Sequence, residues 1–433
     1  MKLPEIEKKY LGKIIAFGRL ASITTATQFI VQGVAFFCGI LIIRRLSTEE
    51  YAYYTLANTM AATMGVLSDA GIGIGVTAQG GQVWSDKRKL GAIIVTGMEL
   101  RKKFSVYSIF ILLPILFAML LQHGASPLSA FFISLSILPI FLTELSGKIL
   151  AIVPMLRQDI HPFQLINILG SIARLFFLCL FIFSFPFATV AILTAGCSQI
   201  WRNHKLKKLS EKHADLSQSV DPVARQEMIR VIKKVFPGAL YYCFSGQLTI
   251  WIVSTFGTTQ ALAQFGAISR LTMAFTLIAT LFNTLITPRF ARLPNDRRPI
   301  IQFFLQSQGY LYIIVCLITA LTYLFPQEIL SLLGDRYKDL SYEVILMVIG
   351  GGLNLVSGCI WSINSARAFL PPWYFNPAMG ILSTIAFSFI FDLSQITGVL
   401  YLNIAIAITT IIFLNMIFIG FAFRTKKNSL AVN

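Results

Sequence analysis

The chain has 433 residues, 56% of them hydrophobic and 13% charged, with a formal net charge of +17. A soluble domain carries about 25% charged residues, and a mean hydropathy of +0.72 excludes that class. A polytopic helical membrane protein is predicted instead. The basic residues lie in connections beside apolar runs, where anionic lipid headgroups would meet them, so no nucleic-acid partner is expected.

A spanning helix needs about 20 apolar residues, and the chain offers a series of such runs. Met1–Lys13 is polar and basic. The apolar run behind it is too long for a signal-peptide core and lacks a small-residue cleavage site, so it reads as an uncleaved span 1, Ile14–Ile43. After the charged turn Arg44–Glu50 comes span 2, Tyr51–Gly81. Val83–Lys103 carries DKRK and ELRKK around an apolar middle and reads as a basic amphipathic connection. Phe104–Thr143 would be roughly 60 Å long as one helix, too much for one crossing. QHGASP at Gln122–Pro127 supplies a turn and gives spans 3 and 4. Beyond the connection Arg157–Pro162, span 5 is Phe163–Ser184 and span 6 is Phe187–Trp201. Arg202–Lys234 is the longest polar segment. Span 7 is Phe236–Phe256, span 8 is Ala261–Pro288, and Arg289–Arg298 is a basic loop. Span 9 is Ile300–Phe325, followed by the mixed-charge loop Gln327–Ser341. Spans 10, 11 and 12 are Tyr342–Ser365, Trp373–Phe391 and Ile396–Phe423.

The predicted fold class is therefore an all-α polytopic membrane protein with about 12 transmembrane helices, in two six-helix bundles related by a pseudo-two-fold axis. Residues 1–201 would form the first bundle, 202–235 a basic cytoplasmic linker, and 236–433 the second bundle. A loose internal repeat supports the duplication. Arg44–Gly75 and Gly257–Arg289 share a polar turn, small and aromatic residues, an apolar helix and a break. Thr48 lies over Thr259, Ala52 over Ala263 and Tyr54 over Phe265. With the N-terminus inside, inner segments hold 28 of the 36 Lys and Arg and outer loops hold 4. That is the positive-inside bias, and it places both termini in the cytoplasm.

A charge inside a span costs about 2.5–3.5 kcal/mol on insertion scales and marks a candidate functional residue. Six are singled out: Arg19, Asp69, Glu144, Lys148, Arg174 and Arg270. Asn167, Gly170, Ser171 and Arg174 share one face of span 5. Arg174 there is read either as part of a polar cavity or as a hydrogen bond to a neighbouring helix. Arg270, with Ala263, Ala267 and Ala274 on its face, suits a cavity wall or close helix packing. Arg19 points away from the stripe of Thr24, Gln28 and Gln32 and reads as snorkelling. Glu144 and Lys148 are spaced to neutralise each other. Asp69 faces the stripe containing Asn58 and reads as an ion-coupling site or as the partner of a base on another span. Span 10 aligns Asn354, Ser357, Gly358, Trp361 and Ser365, and span 7 aligns Tyr242, Ser245 and Thr249. The candidate cavity set is Arg174, Arg270, Asn167, Ser171, Asn58, Gln28, Gln32 and Asn354.

The six cysteines sit inside apolar runs and read as buried small hydrophobes. No metal spacing, nucleophile elbow, P-loop or dinucleotide fingerprint occurs, so no metal or cofactor is expected. Gly71, Gly73 and Gly75 are read as part of a membrane helix.

The turn LSTEEYAYYTLA, the LSDAG that follows, the repeated TTQALAQFGAISRL and the TPRFARL ending span 8 resemble the polysaccharide flippases of Wzx type. That family lies in the superfamily of multidrug and toxin extruders and lipid II flippases. In the span 2 turn Glu49, Glu50, Tyr51 and Tyr54 match the family pattern, while Ala52 replaces its glycine. The resemblance implies a bacterial inner-membrane transporter that is not an enzyme. It would move undecaprenyl-pyrophosphate-linked sugar repeats outward for surface polysaccharide such as O-antigen. Expected partners are that lipid-linked oligosaccharide, membrane lipids, and a polysaccharide polymerase with its chain-length regulator. Two alternatives stand beside it. A small-molecule exporter of the extruder type favours mid-membrane acids over the cations found here. An integral-membrane polymerase or ligase favours a large outer loop with catalytic Arg or His, and Gln327–Ser341 has no histidine.

Overall fold

The computed structural model describes residues 5–291, 293, 294, 296–367, 369, 371 and 374–429, with side chains described from residue 22 onward except 234, 235, 239, 242–246, 248, 288 and 422–429. Among these residues there is no strand. The first helices are α1 (Glu5–Arg45), α2 (Thr48–Asp69), α3 (Ile72–Gln82), α4 (Lys87–Gln122), α5 (Pro127–Leu150), α6 (Ile152–Leu156), α7 (Ile160–Ile182) and α8 (Ala188–Glu211). They are followed by α9 (Pro222–Phe256), α10 (Thr259–Ser269), a 3-10 turn at Arg270–Thr272, α11 (Met273–Leu285) and α12 (Thr287–Ala291). The last are α13 (Arg297–Leu324), α14 (Pro326–Leu333), α15 (Ser341–Ala366), α16 (Phe375–Ser388) and α17 (Ile396–Ser429).

Among the described residues eight helical stretches have the length and hydropathy of a membrane crossing, and the bent pair α2–α3 makes a ninth. The other three expected spans fall on α8, α9 and α16. Basic residues fill the second half of α8 and the first half of α9, and α16 has 14 residues. The chain is an all-α, multi-pass membrane protein. Its outward faces are apolar, as lipid requires: Phe110, Phe131, Phe176, Leu317, Leu382 and Phe389 are all exposed.

The chain divides into two compact units. Unit 1 comprises residues 1–38 and 57–243, and unit 2 comprises 39–56 and 244–433. The end of α1 and the first two turns of α2 thus pack with the second half of the chain. In unit 1, α8 packs against α5 and α7, and α4 against α3 and α5. Its core joins Ile72, Val76, Ile94 and Ile149 to Ala214, Met228 and Ile232. In unit 2, α15 is central, packed on α11, α13 and α17. Its core joins Phe282, Phe290, Phe304 and Phe418 to Val356 and Ile360.

The polar segment 202–235 is not a separate body. Most of it is the end of α8 and the start of α9, and its turn is fastened to unit 1. The Asp215 amide donates to Lys87 O at 2.9 Å, and the Asp221 amide to Thr96 Oγ1 at 2.9 Å. Asp221 Oδ1 caps α9 by accepting from Val223 N and Ala224 N at 2.8 and 3.2 Å. Gln79 Nε2 on α3 donates to Ala224 O at 3.2 Å. The Asp215 carboxyl, hydrogen-bonded by Ser217 and Gln218, is held down at about 2.

Several boundaries differ from those expected, for physical reasons. Span 2 is two helices bent by 45°. Ala70 and Gly71 both take positive φ, 46° and 87°, which ends α2 at Asp69; Gly71 is the break, while Gly73 and Gly75 lie in α3. The basic stretch before span 3 is not a surface helix. Asp86 caps α4 by accepting from Arg88 N and Lys89 N, and α4 runs unbroken for 36 residues, about 54 Å at 1.5 Å per residue. Charged residues do not interrupt a helix's backbone ladder, so the helix simply continues through ELRKK. Span 6 continues to Glu211 for the same reason. The expected turn at Gln122–Pro127 is present between α4 and α5, with Ser126 Oγ accepting from Ser129 N at 3.1 Å. Cys38 and Cys359 are buried, but Cys179, Cys197 and Cys316 are exposed on apolar faces, and all five are free thiols. The side chains of Arg19, Tyr242, Cys243 and Ser245 lie outside the described residues.

Candidate functional site

On α7, positions 167, 170, 171 and 174 recur every three or four residues and share a face. That face looks into a cavity of about 470 Å³ within unit 1. The opposing wall comes from α1, through Thr24, Gln28, Val31 and Ala35, and from α8, through Ser198, Gln199 and Arg202. Gln32 falls to the side of the α1 stripe and is not among the lining residues.

Two guanidinium groups line this cavity. Arg202 is fixed: its Nε donates to Asn167 Oδ1 at 3.1 Å and its NH1 to Gln199 Oε1 at 3.1 Å. Asn167 in turn donates to Gln164 Oε1 at 3.4 Å. Gly170 makes room for this arrangement, because a Cβ there would lie 3.1 Å from Arg202 Cδ. Arg174 is different. Among the described residues its guanidinium makes no hydrogen bond and no ion pair, and no carboxylate lines the cavity. An arginine carries five N–H donors in a planar fork, so this one offers its full set to whatever enters.

Arg202 was missed by sequence reading because it follows the apolar run and looks like the first residue of a basic linker. The available signal was periodicity: Ala195, Ser198, Gln199 and Arg202 continue one helical face past Trp201.

The other predicted residues go elsewhere. Asp69 pairs with Arg101 on α4, whose side chain is 3% exposed. Arg101 also donates from NH1 to Leu145 O at 2.7 Å, tying α2, α4 and α5 together. Gly73 leaves space for the acid; a Cβ there would meet Asp69 Oδ1 at 3.3 Å. Glu144 and Lys148 form the expected pair at 2.6 Å. Asn58 is half-buried and lines neither cavity. Arg270 packs within unit 2, with its guanidinium carbon 5.9 Å from the Tyr54 ring centroid. Its Cδ lies 3.6 Å from where a Gly39 Cβ would stand. The YAYY turn is thus a packing motif. Tyr51, Ala52 and Tyr54 are buried, and Gly266 on α10 has no room for a side chain beside Thr55. Arg44 adds hydrogen bonds to Ser331 O and Leu332 O at 2.7 and 3.0 Å, and Arg336 donates to Leu46 O.

Unit 2 has its own cavity, of about 490 Å³. Asn354 lines it, together with Thr249, Phe265, Ser269, Thr272, Phe275, Thr276 and Asn403. Among the described residues no charged side chain faces it, and no group of three metal-ligating side chains occurs anywhere.

No protein-family model matches the chain, and no curated protein sequence matches it. Solved structures do share the fold. One is an inward-facing multidrug-resistance transporter of the MATE family in the MOP superfamily: TM-score 0.70, 15% identity, covering 92% of this chain and 94% of that one. A second is the lipid II flippase MurJ in an inward closed conformation: TM-score 0.68, 13% identity, covering 94% and 90%. An outward-facing MATE transporter aligns with a TM-score of 0.55 and 15% identity over 95% and 96% of the two chains. The chain has the fold shared by these transporters and the flippase.

Proposed function

We propose that this protein is a flippase that moves an undecaprenyl-pyrophosphate-linked oligosaccharide across the bacterial inner membrane, for assembly of a surface polysaccharide. A polymerase and its chain-length regulator would then receive the product. The single observation that carries this reading is Arg174: an uncommitted guanidinium beside a second, fixed one, in a cavity lined by no acid. Planar, bidentate recognition of a phosphate oxygen pair is what such a group does best. Apolar walls lower the local dielectric and strengthen that contact.

The test is surface polysaccharide display in a cell deleted for its own flippase, with abundance followed by blot. Arg174→Ala should lose most display at normal abundance. Arg174→Lys keeps the charge but not the fork, and should retain part of it. Normal display by Arg174→Ala at normal abundance would remove the anion-binding role.

The MATE neighbours support a second reading, export of a small molecule. A cationic substrate would need acids in a cavity. The acid proposed from sequence for coupling, Asp69, is engaged by Arg101, so a coupling role there would require that pair to open.

A further inference from the structure

The cavity of unit 2 differs in chemistry from that of unit 1. Its volume of about 490 Å³ falls within the range of about 300–1,000 Å³ typical of small-molecule sites. Arg270 adjoins its lining residues in sequence but turns to the Tyr54 ring, and among the described residues no other cation lines it. With no acid either, the walls can neither neutralise an anion nor hold a cation.

The hydrogen-bonding capacity of the walls is weighted toward acceptors. Ser269 Oγ donates to Gly266 O at 2.9 Å, Thr272 Oγ1 to Ser269 O at 2.7 Å, and Thr276 Oγ1 to Met273 O at 2.6 Å. A hydroxyl has one proton and two lone pairs. These three protons are committed to helix carbonyls, so the hydroxyls face a ligand as acceptors. Asn354 Nδ2 gives one of its two protons to Gly350 O at 2.9 Å, and its Oδ1 remains an acceptor. Thr249 Oγ1 donates to Asn403 Oδ1 at 3.1 Å. Asn403 Nδ2 has no partner among the described residues and supplies donors. The rings of Phe265 and Phe275 complete the wall, and the electron-rich face of a ring favours the positive C–H edge of a ligand.

A ligand matched to this wall is uncharged, rich in hydroxyl donors, and has apolar C–H faces between them. We infer that the cavity of unit 2 binds carbohydrate, one or more neutral pyranose rings, through hydroxyls donated to Ser269, Thr272, Thr276 and Asn354. The inference rests on the flippase reading only for the source of the sugar, as the glycan of a lipid-linked substrate. The recognition chemistry itself does not depend on that reading.

The test uses the full-length protein in nanodiscs and two probes. One is the neutral repeat-unit oligosaccharide released by mild acid from the lipid-linked pool of the host cell. The other is undecaprenyl pyrophosphate bearing no sugar. Equilibrium binding should show Asn354→Leu/Asn403→Leu weakening the oligosaccharide at least tenfold and leaving undecaprenyl pyrophosphate within twofold. Arg174→Ala should do the reverse. Asn354→Asp keeps acceptors and should retain oligosaccharide binding, which separates loss of a contact from loss of the fold. Unchanged oligosaccharide affinity in the double leucine variant overturns the inference, as does no binding to the wild type at millimolar concentration. Should the oligosaccharide bind through Asn354 while undecaprenyl pyrophosphate binds nowhere, the flippase reading fails, the carbohydrate site stands, and the ligand is a free sugar.

Discussion

Two arginines that sequence reading placed outside the spans, Arg101 and Arg202, organise unit 1. Arg101 holds Asp69 where α2 breaks, and Arg202 braces Asn167 beside Arg174. Breaking a buried ion pair costs about 3–5 kcal/mol, because the remaining charge is left unneutralised. Asp69 is 32% exposed, and solvent there should reduce the loss to about 1–3 kcal/mol. Asp69→Ala and Arg101→Ala should each lower the melting temperature of purified protein. The double variant should lose less than the two single losses added together, by about 1–3 kcal/mol for residues in direct contact. Strictly additive losses would show that the pair does not fasten α2 to α4.

At the scale of elements, glycine separates close approach from open space. A Cβ on Gly91 of α4 would collide with the backbone of Asp215, in the turn between α8 and α9. Backbone cannot rotate away as a side chain can, so the turn must shift. Gly91→Ala should therefore lower thermal stability and expose the 211–222 turn to limited proteolysis. Gly309 of α13 has nothing within 4 Å of its Cβ position. Gly309→Ala should be neutral or gain about 0.5–1 kcal/mol from helix propensity. Equal losses from both variants would mean that helix flexibility, not the contact with Asp215, sets the effect. The same logic explains why the basic stretch 83–103 is no surface helix. From Lys87 onward it lies inside α4, and Gly97 brings α4 so close to α3 that a Cβ there would meet Val76.

For the whole molecule, sidedness remains the expectation of the charge bias. Ser217, in the turn after α8, and Ser331, on α14, are both exposed. With inner segments holding 28 of 36 basic residues, they should lie on opposite sides of the membrane. A membrane-impermeant maleimide should label Ser331→Cys in intact cells and Ser217→Cys only after permeabilisation. The background must lack the native cysteines, since Cys179, Cys197 and Cys316 are exposed. Both positions reacting from one side would overturn the six-plus-six topology.

Fold class was legible in the sequence because the membrane imposes it. Long apolar runs can satisfy their backbone groups only as helices, and turn residues such as Gln122–Pro127 mark where they must end. The face of Asn167, Ser171 and Arg174 was also legible, because helical period is a local property and all three lie on one helix. What the local pattern does not contain is which face meets which. Asp69 finds Arg101, Arg174 shares its cavity with Arg202, and Arg270 turns from the second cavity to Tyr54 only once distant helices pack. Nor does apolarity mark the ends of helices, since charged residues keep the same backbone ladder: α4 and α8 run on through their basic turns. The sequence by itself determined a bundle of membrane helices carrying intramembrane charge. Tertiary packing alone decided which charges neutralise one another, and it left the Arg174 guanidinium lining a cavity without an ion pair among the described residues.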